Sequence, residues 1–291
     1  MQNNTPANFT LDRRQFIKLA GLATSTAFSS SLFAHGHSMA NSKHHSIGLQ
    51  LYTLRDIMQV SVPATLKLAA DVGYNELEFA GYFDHDLNDI KQILEGEGLT
   101  SPSAHFPLDM FANNINQIID ISKQLGHKYV VMPWLTQEQR GKDIATYYRL
   151  AEDLNRYGET CKSAGLTLAY HNHDFEFENR EGELPMDVLL NETSADSLSI
   201  ELDLYWTVKA GFDPITYFNK YPGRFKLWHV KDLAADGSFA DVGKGTIDFA
   251  AIFAQAELAG VEHKFVERDQ TPDRIKTIEQ GYQAMTALYE K

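Results

Sequence analysis

Ionisable side chains stand near the ends of short β-rich runs, where a buried strand ordinarily carries Val, Ile and Leu. The runs are IGLQLYT, YNELEFA, TSPSAHF, KYVVMPW, LTLAYHNH, LSIELDLYW, FKLWHVKD and HKFVERD. Their polar ends are Gln50 and Tyr52, Glu78, His105, His171 and His173, Asp203, His229 with Lys231 and Asp232, and Glu267. An ionisable group in a strand is costly unless it is paired or bound to a metal. Several of them converging on one place suggest one divalent cation. Imidazole with carboxylate suits Mn, Co, Fe or Zn better than Mg, which favours an all-oxygen shell. Side chains alternate along a strand, so His171 and His173 are expected on one face, with Asn172 turned away.

The elements that must position these groups alternate regularly. Between the runs lie amphipathic stretches: Leu66, Ala69 and Ala70 recur at helical intervals, as do Ile115, Ile118, Ile119 and Leu125. Gly73, Gly98, Gly126, Gly165 and Gly260 each end such a stretch shortly before the next run, where a helix needs a residue tolerant of the left-handed conformation. Eight β/α units without a hairpin signal imply a parallel sheet. A doubly wound sheet would call for a glycine-rich phosphate loop after the first strand, and LYTLRD has none. The expected fold is therefore a single (β/α)8 TIM barrel, whose strand C-termini carry the active site. Lys244 between two glycines lacks the full phosphate-loop spacing and is read as a lid. Cys161 lies in a helix-like stretch and reads as a packed thiol.

The first forty residues carry a different message. LDRRQFIK is followed by a modest apolar stretch from Leu19 to Phe33 and then by AHGHSMANSK. That order is a secretory signal, and the Arg13-Arg14 pair selects its twin-arginine version. The apolar stretch is shorter than the ~20 residues of a bilayer span, although a retained anchor is the alternative. Ser38 and Ala40 place the expected cut before Asn41, giving a leader at 1–40 and a barrel at 41–291. The histidines at 35, 37, 44 and 45 flank that cut and read as a tail. The expected setting is periplasmic or otherwise exported, with the twin-arginine machinery as a partner and no stable membrane span after processing. Removing the leader leaves 23 basic against 38 acidic side chains, a net charge of −15. Such a surface disfavours nucleic acid and phosphorylated metabolites and favours neutral substrates.

The text at Gly48 to Asp56, YHNHDFEF at Tyr170 to Phe177, ELDLYW, LWHVKDL, the Gly243–Gly245 loop and VERD resemble the xylose-isomerase-like, or endonuclease-IV-like, barrels. This group includes sugar isomerases, tagatose-type 3-epimerases and inosose dehydratases. The resemblance covers the whole predicted barrel. It implies one metal held by a strand-five glutamate, a strand-six aspartate, a strand-seven histidine and a strand-eight glutamate. The last three fall on Asp203, His229 and Glu267. The first position holds His171 instead, which is assigned to the metal, with Glu176 swinging in as the alternative.

The resemblance implies proton abstraction next to a sugar carbonyl. Family epimerases use two metal-bound glutamates on opposite faces of the carbon, and here only Glu267 remains of that pair. An elimination needs one base, a metal and an acid, roles that His173, the metal and Lys231 are able to fill. Lys231 is equally readable as the structural partner of Asp232 or another carboxylate. Gln50, Glu78, His105 and Trp206 are expected to contact substrate. Burial against backbone amides is the alternative for Glu78 and His105, and core packing for Trp206. The leading expectation is thus an exported metal-dependent sugar isomerase or epimerase. A dehydratase or lyase acting by β-elimination on a keto-sugar or 3-keto-glycoside comes close behind. A non-catalytic sugar-binding protein is the reading from another class. The DNA-repair branch is disfavoured by export and by charge.

Overall fold

The computed structural model describes residues 46–290. The expected leader, its Arg13-Arg14 pair and the cut before Asn41 lie outside the described residues. Eight parallel strands close into one barrel. They are β1 (Gly48–Gln50), β2 (Glu76–Phe79), β3 (Thr100–His105), β4 (Tyr129–Met132), β5 (Thr167–His171), β6 (Ser199–Asp203), β7 (Leu227–Val230) and β8 (His263–Val266). Each pairs with its neighbours in sequence, and β8 pairs with β1 to close the ring. The helices on the outside return the chain between strands; they include Val62–Val72, Leu87–Glu97, Ile115–Leu125, Ala145–Ser163 and Arg274–Tyr289. The predicted β/α barrel is therefore the fold.

Local sequence explains the helix limits. Ser61 caps Val62–Val72 by accepting the Ala64 amide on its hydroxyl, and Gly73 ends that helix at φ 118°. The other four predicted terminating glycines also sit at positive φ, between 69° and 82°. Leu66, Ala69, Ile118 and Leu125 are buried, as their spacing requires, and Cys161 is buried within Ala145–Ser163. Among the described residues no helix is long and apolar enough to cross a membrane.

The strands are shorter than the runs that announced them. After Gln50 the chain turns into a 3-10 helix, Leu51–Leu54, because the Gln50 side chain accepts the Tyr52 amide. The barrel's lower interior is apolar, built from Tyr129, Val131, Ala169, Leu227 and Phe265. Gly48 is needed there: a Cβ on it would stand 2.4 Å from the Phe265 ring. The next interior level is polar and carries the site. Between β2 and β3 the register slips by one residue around Pro102, which sets Ser103 opposite Glu78.

Candidate active site

Four side chains from consecutive strands meet at the C-terminal mouth. His171 ends β5, Asp203 ends β6, His229 stands on β7, and Glu267 follows β8. His229 Nδ1 lies 2.8 Å from Glu267 Oε2 and 3.9 Å from Asp203 Oδ2, while His171 Nε2 lies 3.8 Å from Asp203 Oδ2. Tetrahedral ligands at about 2.0–2.2 Å from an ion are roughly 3.4 Å apart. The Asp203, His229 and Glu267 donors lie close enough together to share one divalent ion, and His171 falls in a second such group with His105, Glu201 and His229.

Two further carboxylates orient the imidazoles from behind. The far nitrogen of His229, Nε2, is 2.7 Å from Glu78 Oε2. His171 Nδ1 is 3.1 Å from Glu201 Oε2, and His105 Nε2 is 2.8 Å from the same oxygen. A carboxylate on the outer nitrogen fixes the ring's tautomer and aims the other nitrogen at a metal. Glu201 was not anticipated as a functional residue, although its position two residues before Asp203 puts both on one strand face. Its Oε1 is buried without a hydrogen-bond partner among the described residues, an acceptor left open to a cation or a proton. Three imidazoles and an excess of carboxylates thus fit a metal.

Gln50 and Glu78, expected to contact substrate, are not among the residues lining the cavity. Both are fully buried, where Gln50 Nε2 donates to Glu78 at 2.7 Å and the Ser103 hydroxyl donates to the other Glu78 oxygen. Glu78 in turn lies 2.7 Å from His229 Nε2. His105 spans both levels, bonding Glu201 below and lining the cavity above.

Lys231 is fully buried and does not pair with Asp232. Its ammonium sits 2.8 Å from Asp203, 2.6 Å from Glu267 and 2.7 Å from Asp269, a residue missed from sequence although it follows Glu267 by two. Asp232 instead points into the Gly243–Gly245 loop, whose Gly243 and Gly245 amides donate to one carboxylate oxygen at 2.9 and 2.8 Å. That loop, read as a lid, is a clasp on its own chain, and a Cβ on Gly245 would fall 2.3 Å from Asp232.

His173 reaches the cavity by a different route from the one expected. Strand β5 stops at His171, and a turn carries His173 into the wall. Asn172 does turn inward to the scaffold, accepting the Asp203 amide at 3.0 Å. The His173 ring lies edge-on to Trp134, 4.6 Å between centroids, and 5.3 Å from the Trp206 ring. Its Nδ1 and the Trp206 Nε1 have no hydrogen-bond partner among the described residues. Trp206 lines the cavity rather than the core. Glu176 points away from the ligand cluster, accepting the Tyr170 hydroxyl and, at 2.8 Å, the His173 amide. His171, at the end of β5, brings its Nε2 to 3.8 Å from Asp203 Oδ2.

Electrostatics separate the roles. Burial, then the charge of Lys231, holds His173 well below the ordinary imidazole value, so it is a neutral base. Burial would lower Lys231, but Asp203, Glu267 and Asp269 outweigh it and keep the ammonium charged. Burial pushes Asp203 up to about 6, and burial with the charge of Glu78 pushes Glu201 up to about 7. Burial would raise Glu267 too, yet Lys231 and His229 hold its carboxyl well below the usual range.

Comparison with known proteins agrees with this architecture. The sequence profile described as "Xylose isomerase-like TIM barrel" matches residues 66–288. An inosose dehydratase of Lacticaseibacillus casei is 29% identical over 279 residues, spanning 81% of this chain and 93% of the relative. A sugar phosphate isomerase/epimerase structure from Parabacteroides distasonis superposes with TM-score 0.72 at 26% identity, covering 83% of this chain and 97% of that one. The IOLI protein, solved with a zinc atom, shares the fold at TM-score 0.66 and 14% identity, over 84% of this chain and 98% of its own. With more than half its length matched and the barrel closed as expected, the chain belongs to the xylose isomerase-like TIM barrel family.

Proposed function

We propose that this protein is a metal-dependent lyase or dehydratase that removes the proton beside the carbonyl of a keto-sugar and expels the substituent one carbon further on. The observation that carries this reading is an unlike acid/base pair beside Trp206. His173, with an unpartnered ring nitrogen, lies 5.3 Å from the Trp206 ring. The Lys231 ammonium lies 5.8 Å from the same ring. Epimerisation calls for two comparable bases on opposite faces, and β5 offers an imidazole where the second carboxylate would stand. The inosose dehydratase relatives favour elimination as well.

In this reading His171, Asp203, His229 and Glu267 hold a divalent ion, which when bound supplies Lewis-acid stabilisation of the developing oxygen charge. His173 takes the proton from the carbon. Lys231 gives a proton to the departing oxygen, held for that task by Asp203, Glu267 and Asp269. Glu78 and Glu201 keep the two ligating imidazoles in place, and Trp206 offers an indole N–H and a ring face to the sugar. Mn, Co, Fe or Zn suits this nitrogen and oxygen set better than Mg.

The test is incubation with keto-sugars in D2O, followed by NMR and by absorbance of the conjugated product. Elimination is expected, with loss of water or alcohol. Deuterium at the α-carbon with an inverted sugar and no leaving group released would overturn the reading in favour of epimerisation. Export is part of the same proposal: Arg13→Lys combined with Arg14→Lys is expected to hold the protein in the cytoplasm, and unchanged secretion would refute it.

A further inference from the structure

The cavity above the floor is too large and too apolar for a sugar alone. It encloses about 870 Å3. Cavities of roughly 300–1,000 Å3 take drug-sized ligands, well beyond the ~12 heavy atoms of a hexose. One end is polar, lined by His105, His171, His173, Lys231, Glu267 and Asp269. The rest of the wall is an apolar lobe that includes Tyr82, Phe83, Phe106, Met110, Ile121 and Trp134, the last in contact with His173. Trp134 is 46% exposed, with the Arg140 guanidinium over its ring at 4.1 Å.

The lobe is built at a conformational cost. Phe83 and Asp84 stand side by side at φ 53° and 58°, in the left-handed region that side chains other than glycine avoid. Only Glu181 joins them there among the described non-glycine residues. Strain of this kind persists where surrounding structure imposes it, and it gathers at ligand-binding segments. Tyr82, immediately before, is pinned by its hydroxyl to His127 Nε2 at 2.9 Å and stacks on Phe79 at 5.2 Å. The loop is therefore held in the shape that makes Phe83 part of the wall.

A phosphorylated substituent does not suit this wall. Lys231 is the one lysine or arginine among the lining residues, three carboxylates already hold it, and His105 is likewise paired with Glu78 and Glu201. Asp84, Asp174, Glu267 and Asp269 line the same cavity. An uncharged, flat, apolar group suits it.

We infer that the lobe receives an apolar aglycone, so that the substrate is a keto-glycoside with a hydrophobic leaving group and not a free keto-sugar. The inference rests on the elimination reading. With the carbonyl at carbon 3, the base breaks the C–H bond at carbon 2. That electron pair forms the C1–C2 double bond as the C1–O bond breaks, and the departing oxygen gains a proton. An unsaturated ketone and a free alcohol result, with nothing oxidised or reduced overall.

The experiment compares methyl and 2-phenylethyl 3-keto-glucosides, in both anomeric forms, because their alkoxide leaving groups are of similar basicity. Wild type is expected to release 2-phenylethanol with kcat/KM at least tenfold above that for methanol. Phe83→Ala and Met110→Ala are each expected to cut that ratio at least threefold. A ratio near one in wild type, or a ratio unmoved in both variants, overturns the inference while leaving elimination standing. If neither compound is cleaved, the elimination reading falls, and calorimetry with the unoxidised glucosides decides the lobe. Tenfold tighter binding of the phenylethyl compound, lost in the variants, supports it; equal or absent binding overturns it.

Discussion

Acid sensitivity at His127 follows quantitatively from its surroundings. The ring is buried behind Tyr82, with Nδ1 donating to the Ser101 carbonyl at 2.7 Å and Nε2 accepting the Tyr82 hydroxyl at 2.9 Å. Both nitrogens are satisfied in the neutral form. Burial, against the opposing pull of Ser101 and Glu78, lowers its pKa to about 4. The unfolded value is about 6.5. Between these two values the unfolded chain binds a proton that the folded chain refuses, so stability is full above pH 6.5 and is lost as pH falls toward 4. The loss is about 2 kcal/mol at pH 5 and about 3 kcal/mol once both forms are protonated. For a domain of this size 1 kcal/mol moves Tm by about 2–4 °C, so His127 accounts for about 4–8 °C of the drop between pH 7.5 and pH 5. The assay is thermal unfolding of wild type and His127→Asn at both pH values. Asparagine loses the Tyr82 bond at every pH but has no proton to refuse, so its drop is expected to be smaller by that amount. Equal drops in the two proteins would refute the reasoning, and with it the claim that His127 pins the Tyr82 loop as a neutral ring.

The metal centre and its supports make further outcomes measurable. Glu78→Gln is expected to weaken divalent-metal affinity about 10–100-fold by titration, because the outer hydrogen bond to His229 loses its charge. Lys231→Met is expected to lower turnover about 10²–10⁴-fold while bound metal, measured by elemental analysis, is retained; loss of metal instead would make Lys231 a structural counter-ion only. Chelation is expected to lower Tm, since an ion held at 100 times its Kd stabilises the fold by about 2.7 kcal/mol, and an unchanged Tm would contradict the assigned site. Gly245→Ala is expected to cost about 1–3 kcal/mol in denaturant unfolding, as its methyl group collides with Asp232 and opens the clasp.

Much of this protein was legible in the chain itself. The repeated helix, glycine and strand order determined the eight β/α units, because hydrophobic period and left-handed caps are local properties. The polar strand ends, His171, Asp203, His229 and Glu267 among them, were visible as residues that a strand does not ordinarily bury. Glu201 shares the face of Asp203 within β6, while Glu267 and Asp269 lie beyond the end of β8, and period alone assigns a face and names no partner. Only barrel closure decided the partners: Glu78 and His229 lie 151 residues apart and meet at 2.7 Å. The same closure buried Gln50 against Glu78 and gave Lys231 three carboxylates in place of Asp232. The apolar lobe was the least legible feature, since Phe83, Met110 and Trp134 come from three separate loops and helices. A sequence states what each side chain is and which way its own strand or helix turns it. Which groups share a cavity is settled by the tertiary structure, because charge and burial act through space, across separations in the chain that no local pattern records.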